Sequence, residues 1–229
     1  KVPAYNAALV NGYMARALDI DDAMFPGMHV GASTVSTALA VAEMMGGCSG
    51  EDLLTALIVG HETAARFNSV TDYYGFDPTG VCTIMGTAAT AAKLLKFSEQ
   101  QVLDTLALAF DKAGGTFQCN VDGSLAVRAN NGFAAQGGIV CAQLAKRGIN
   151  GPKNFIEGVY GYLHLFGMDK YNVNTLTVKL GKKYIFHNNL LFKKHPSCAC
   201  TEASTDAILF IMKDKGIHEK DVEQIEIKL

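Results

Sequence analysis

Two stretches combine helical spacing with almost nothing but small side chains: Met85-Gly86-Thr87-Ala88-Ala89-Thr90-Ala91-Ala92 and Gly132-Phe133-Ala134-Ala135-Gln136-Gly137-Gly138. Glycine inside a helix costs about 1 kcal/mol relative to alanine, so this much of it needs a compensating contact. Close approach of helix backbones is one such contact, and approach of a ligand to the backbone is another; both can hold. The first constrains the fold most. It requires helices over about Thr79 to Leu95 and about Arg128 to Lys146, packed into a tight bundle.

Other helix signals surround these two. Pro3 suits the first turn of a helix running to about Leu18. Ser33 or Thr34 is the expected cap of the next, with Val35, Ala38, Leu39 and Ala42 on one face and Gly46-Gly47 stopping it. Ser49-Gly50-Glu51-Asp52 and Ser98-Glu99-Gln100-Gln101 have capping-box spacing. Leu54, Leu57, Ile58 and Ala65 supply the stripe behind the first box, and Val102, Leu103, Leu106, Ala107 and Phe110 the stripe behind the second. From Tyr171 to Lys194 the texture turns to Asn, Lys and aromatics, which reads as a linker. Beyond Pro196-Ser197 a new amphipathic helix carries Ala203, Ala207, Ile208 and Ile211. Val222 to Leu229 alternates like a half-buried strand, which needs partner strands elsewhere.

The expected fold is therefore mainly α. A large all-helical bundle domain spans 1–194, followed by the start of a smaller α+β lid domain over 195–229. The chain reads as a piece cut at both ends, with an N-terminal part and most of the lid outside it.

A hydrophobic fraction of 49% with 18% charged residues supports a sizeable core. With a net charge of −2 and no basic block, a nucleic-acid partner is not expected. No apolar run reaches membrane-spanning length, so no membrane association and a cytoplasmic location are expected. Five of the six cysteines sit among small residues, as buried reduced thiols do.

The chemistry concentrates on Leu18-Asp19-Ile20-Asp21-Asp22 and the following Gly27-Met28-His29-Val30-Gly31. Three carboxylates and a histidine between two helices form a metal loop, a cap cluster paired with Arg16, or part of an active site. The run lacks the glycine and distal glutamate of an EF-hand, and no metal is expected. His29, beside carboxylates that set its tautomer, suits a general acid or base. Asp77, just before Pro78, reads by itself as a helix cap. Arg128 at a helix start is a ready anion site or a surface ion-pair partner. Lys193-Lys194-His195 lies at the inferred hinge and suits carboxylate capture or a solvated linker. Without a G-x-G-x-x-G after a strand, a Walker loop or an H-E-x-x-H, no cofactor is expected.

In order, Arg16-Ala17-Leu18-Asp19-Ile20-Asp21-Asp22, His29, Ala38-Leu39-Ala40 with Glu43, Ser49-Gly50, Pro78-Thr79-Gly80, Gly132 to Gly137, Gly151-Pro152 with Glu157-Gly158, and Pro196-Ser197-Cys198 resemble the MmgE/PrpD family. The resemblance covers essentially the whole chain. It implies a helical domain plus an α+β lid with the active site in the cleft between them, and cofactor-independent homodimers acting on small di- and tricarboxylates. The family includes 2-methylcitrate dehydratase, cis-aconitate decarboxylase and iminodisuccinate epimerase.

Carried over, the family's aspartate falls on Asp19, its loop histidine on His29 and its hinge lysine on Lys193. Cys198 agrees with the dehydratase-like pattern. Arg128 matches the residue that often follows the family's lysine before the Gly-rich helix. Four positions depart: Ala23 replaces a polar residue, Asp77 a histidine, Val127 that lysine, and Glu202 a histidine. The loss of positive charge implies a substrate smaller, less charged or more amine-like than methylcitrate. The resemblance implies a lyase in which His29 is the acid/base, Asp19 orients it, Asp77 sits at a second catalytic position, and Lys193, Lys194, Arg128 and Cys198 hold the substrate. An epimerase of an amino dicarboxylate and a non-catalytic paralogue serving dimerisation or binding are the alternatives.

Overall fold

The computed structural model describes residues 2–228. In chain order it comprises α1 (Ala4–Arg16), β1 (Asp22–Met24), α2 (Gly31–Met44), α3 (Gly50–Asn68), α4 (Pro78–Leu94), α5 (Glu99–Lys112), α6 (Gln118–Val121), α7 (Ala126–Lys146), α8 (Tyr162–Leu165), α9 (Val173–Thr177), α10 (Ile185–Asn189), β2 (Leu190–Phe192) and α11 (Glu202–Lys215). The protein is mostly helical, with a small two-stranded sheet. Several helix starts follow their local chemistry. Ser49 Oγ accepts the Asp52 N–H at 3.0 Å, and Ser98 and Gln101 form a reciprocal capping box. Pro3 sits one residue ahead of α1, where its carbonyl accepts from Asn6 and Ala7.

Helix α4 is the centre of the bundle, with every residue but Lys93 buried, and it packs chiefly against α3 and α7. A helix apolar all round belongs inside, and its small residues let neighbouring backbones approach. A Cβ on Gly86 would lie 2.6 Å from the Gly60 carbonyl oxygen of α3 and 2.9 Å from the Ala64 methyl. On the α7 side, a Cβ on Gly138 would lie 2.6 Å from the Thr87 carbonyl carbon. Two of the threonines within α4 are satisfied by carbonyls: Thr87 Oγ1 donates to Ala134 O at 2.8 Å and Thr90 Oγ1 to Gly86 O at 2.9 Å, whereas buried Thr83 Oγ1 has no hydrogen-bond partner among the described residues. Hydroxyls bonded to carbonyls in this way enter the core at little cost.

Close packing alters two of the expected stripes, of which Ala38 and Ala65 are buried as expected. Ser33 and Thr34 do not cap α2; they lie inside it and are buried, with Ser33 Oγ donating to Asn131 O and Thr34 Oγ1 to Val30 O. Val35 and Leu39, expected inside, are exposed. On α3, Leu54 and Ile58 are exposed while Ala56, Gly60 and Ala64 face the core. Where helices cross this closely, a small hydroxyl bonded to a carbonyl fits better than a branched chain.

The expectation of a purely helical 1–194 segment needs a second correction. β1 and β2 pair antiparallel, with Asp22 opposite Phe192, Ala23 opposite Leu191 and Met24 opposite Leu190. The acidic run thus leaves α1 through a turn and enters a short buried strand at Asp22. Meanwhile Val222 to Lys228 forms no ladder with another strand among the described residues, so its alternation does not become a sheet there; Leu229 lies outside them.

The linker-like segment is clasped to α3. Buried Arg66 donates to the carbonyls of Leu176 (2.6 Å), Val178 (3.2 Å) and Lys183 (3.2 Å). Glu62, 2.8 Å from Arg66 Nε, accepts the Ile185 N–H at 2.8 Å at the start of α10. This pair orders the chain that leads into β2. Among the described residues, no helix is long and apolar enough to cross a membrane.

Candidate active site

Between α1 and α2, the carboxylates of Asp19 and Asp21 are organised by two cations. Asp19 takes a left-handed backbone conformation (φ 56°), which aspartate tolerates at a turn. Arg16 Nη1 bonds the Asp19 carboxylate and lies 2.7 Å from Asp21 Oδ1. Lys193 follows β2, and the strand register brings it beside the same carboxylates: its Nζ is 2.6 Å from Asp19 Oδ1 and 3.3 Å from Asp21 Oδ1. The Lys193 side chain is fully buried. Burial and the nearby Arg16 guanidinium hold its amine below the usual lysine range, against the opposing attraction of Asp21.

His29 is fixed by its surroundings. Its Nδ1 lies 2.9 Å from the Asp22 carbonyl oxygen and 3.4 Å from Asp21 Oδ2. A carbonyl only accepts, so in the neutral ring Nδ1 carries the hydrogen and Nε2 keeps the lone pair. The backbone at His29 is held as well, by Asn131 Nδ2 donating to its carbonyl at 2.8 Å and Thr79 Oγ1 accepting its N–H at 3.3 Å. The orienting groups are therefore Asp22 and Asp21. Asp19, expected in that role, pairs instead with Arg16 and Lys193. Burial raises the Asp21 carboxyl's pKa, but the hydrogen bond and charge of His29, together with Arg16, outweigh it and leave the group well below the usual carboxylate range.

Asp22 differs from its neighbour. Its two carboxyl oxygens accept the Gly31 N–H at 2.9 and 3.0 Å, and burial raises its pKa. A Cβ on residue 31 would collide with that carboxyl group, so the space is kept by glycine.

These groups border a cavity of about 470 Å³. Of the residues expected at the site, Asp19, His29, Asp77, Arg128 and Cys198 line it. Lys193 lies behind the wall in its ion pairs. Lys194 is elsewhere: its Nζ is exposed and 2.7 Å from Asp206 Oδ1. Glu202 accepts the backbone N–H groups of Lys194 and His195, so it braces the segment that follows β2.

Asp77 combines two positions. Oδ1 caps α4 by accepting the Thr79 N–H at 2.8 Å, and Oδ2 accepts from Asn130 at 2.6 Å. Arg128 donates from Nε to the Ala17 carbonyl at 3.0 Å and has no carboxylate at ion-pair distance among the described residues. Ala23 and Val127 also line the cavity. Three of the four departures from the family pattern thus share one pocket. Tyr73, Phe117 and Asn120 on its wall carried no sequence signal of their own. Thr79 and Asn131 were visible only as parts of the Pro78-Thr79-Gly80 and Gly-rich motifs. Among the described residues, no group of three or more His, Cys, Asp or Glu side chains is arranged to hold a metal ion.

Known proteins resemble this chain along most of its length. Human cis-aconitate decarboxylase is 27% identical over 222 residues, covering 93% of this chain and 45% of that protein. The cis-aconitate decarboxylase-like protein oryM of Aspergillus oryzae is 31% identical over 198 residues, covering 78% of this chain and 40% of its own length. Cis-aconitate decarboxylase of Aspergillus terreus is 30% identical over 173 residues, covering 70% of this chain and 35% of that protein. The chain spans less than half the length of these relatives. Residues 1–173 match the MmgE/PrpD N-terminal domain, and the chain belongs to the MmgE/PrpD family.

Proposed function

We propose that the cleft belongs to a lyase that removes a proton α to a carboxylate of a small acid, as the first step of elimination. The observation that carries this reading is the hold on His29. With Nδ1 donating to the Asp22 carbonyl, Nε2 is the basic nitrogen at the edge of the cavity. Asp21, 3.4 Å from Nδ1, favours the imidazolium that forms when Nε2 takes the proton. The electron pair left on the α-carbon delocalises into the substrate carboxylate, whose added charge Arg128 is placed to stabilise. Loss of a β-hydroxyl as water, with the proton returned by His29, completes an elimination. The naming of its relatives as cis-aconitate decarboxylases supports carbanion chemistry beside a carboxylate, since in a decarboxylation the bond to the departing carbon dioxide supplies the electron pair and an acid group then delivers the proton.

The test is proton exchange. In deuterated water with 3-hydroxybutyrate, malate or citrate, the protein is expected to replace α-hydrogen with deuterium, read by proton NMR, and His29→Ala to abolish the exchange. Undiminished exchange in that variant removes His29 from the chemistry.

A further inference from the structure

The balance of charge in the cavity bears on which acid the cleft takes, and this step rests on the proton-abstraction reading above. Arg16 and Lys193 are closed on Asp19 and Asp21, two cations on two carboxylates, with the Lys193 side chain out of solvent. Lys193 cannot meet an incoming anion without unpairing a buried carboxylate, which is strongly unfavourable, and the charge of Arg16, whose Nη1 meets both carboxylates, is already balanced within the cluster. Arg128 is the one cation on the cavity wall without a carboxylate partner among the described residues. Its terminal guanidinium nitrogens form a fork suited to one carboxylate.

The same cavity carries a standing negative charge. Both oxygens of Asp77 accept hydrogen bonds from N–H donors, an arrangement that fits the ionised carboxylate. Much of the remaining wall is apolar, including Met24, Phe25, Phe117, Val127 and Leu191. A second substrate carboxylate would find no free cation on this wall, and Asp77 would repel it. An apolar substituent would find hydrocarbon.

We propose that this cleft selects acids with a single carboxylate and an apolar body, held through Arg128, and discriminates against di- and tricarboxylates. Each unmatched carboxylate is expected to weaken binding on the order of tenfold to a hundredfold, the worth of one charge-assisted hydrogen bond. Val127 and Asp77 are the specificity-determining residues in this account: the first leaves hydrocarbon where a cation would hold a second carboxylate, and the second repels one.

The experiment is isothermal calorimetry at one ionic strength with 3-methylcrotonate, mesaconate and cis-aconitate, which carry one, two and three carboxylates. The expected order has 3-methylcrotonate tightest and cis-aconitate at least about tenfold weaker. Val127→Lys is expected to narrow or reverse that order. Arg128→Gln is expected to lose 3-methylcrotonate binding with an unchanged melting temperature. Equal or tighter binding of cis-aconitate by the unaltered protein overturns the proposal, as does failure of all three acids to bind or unchanged 3-methylcrotonate binding in Arg128→Gln. Deuterium exchange separates this from the chemistry. His29-dependent exchange into citrate but not 3-hydroxybutyrate overturns the substrate class alone. Selective binding of 3-methylcrotonate without exchange into any acid overturns proton abstraction alone.

Discussion

Lys193 Nζ lies 2.6 Å from Asp19 Oδ1, joining the end of β2 to the turn after α1 across most of the chain. The contact makes the acidic loop and the return strand one unit. Lys193→Ala leaves Arg16 alone to neutralise two buried carboxylates, and is expected to destabilise the fold by about 2–4 kcal/mol. Urea denaturation measures this. An unchanged midpoint would show that the pair contributes nothing.

Asp21 makes stability depend on acid. Its carboxyl is held below the usual range in the folded protein, so the folded state favours the ionised form. That contribution is complete above the unfolded pKa, near about 4, and is lost as pH falls through the lower folded value. Asp21→Asn should flatten the decline in melting temperature below about pH 4. Parallel curves for the two proteins would contradict this account.

Gly31 keeps room for the carboxyl group whose backbone carbonyl holds His29. Gly31→Ala should force Asp22 aside, costing about 1–3 kcal/mol. Because the His29 tautomer depends on that carbonyl, proton exchange should fall by more than the folded fraction does. Comparing exchange per folded molecule with the melting curve separates the two effects.

The Glu62–Arg66 pair acts at a distance. Glu62→Ala leaves a buried guanidinium uncompensated and frees the N–H groups of Ile185 and Phe186. A loss of about 3–5 kcal/mol is expected, together with faster amide hydrogen exchange across α10 and β2. Exchange unchanged in those segments would mean the clasp does not order the return strand.

Much of this architecture was legible as local chemistry. Ser49, Asp77 and Ser98 cap the helices they precede because a side-chain oxygen and an unpaired helical N–H lie within a few residues of each other. The inward faces of α2 and α3 were legible only in part, at Ala38 and Ala65. Periodicity assigns Val35, Leu39, Leu54 and Ile58 to the core by their hydrophobicity, whereas close helix crossings select by size.

By itself, the sequence determined the helical bundle, the family and the concentration of chemistry around Asp19 and His29. Those follow from spacing, caps and ordered motifs, all of which are properties of neighbours along the chain. Only the tertiary structure decided which partner each charge takes. It set Lys193 on Asp19, Lys194 on Asp206, and the Asp22 carbonyl on His29. It also gathered Ala23, Asp77 and Val127 onto one cavity. The reason is that these are long-range contacts: the pairing of β1 with β2 carries Lys193 to Asp19, and the packing of α4 on α7 brings Asp77 and Val127 to one wall, neither of which composition and periodicity specify.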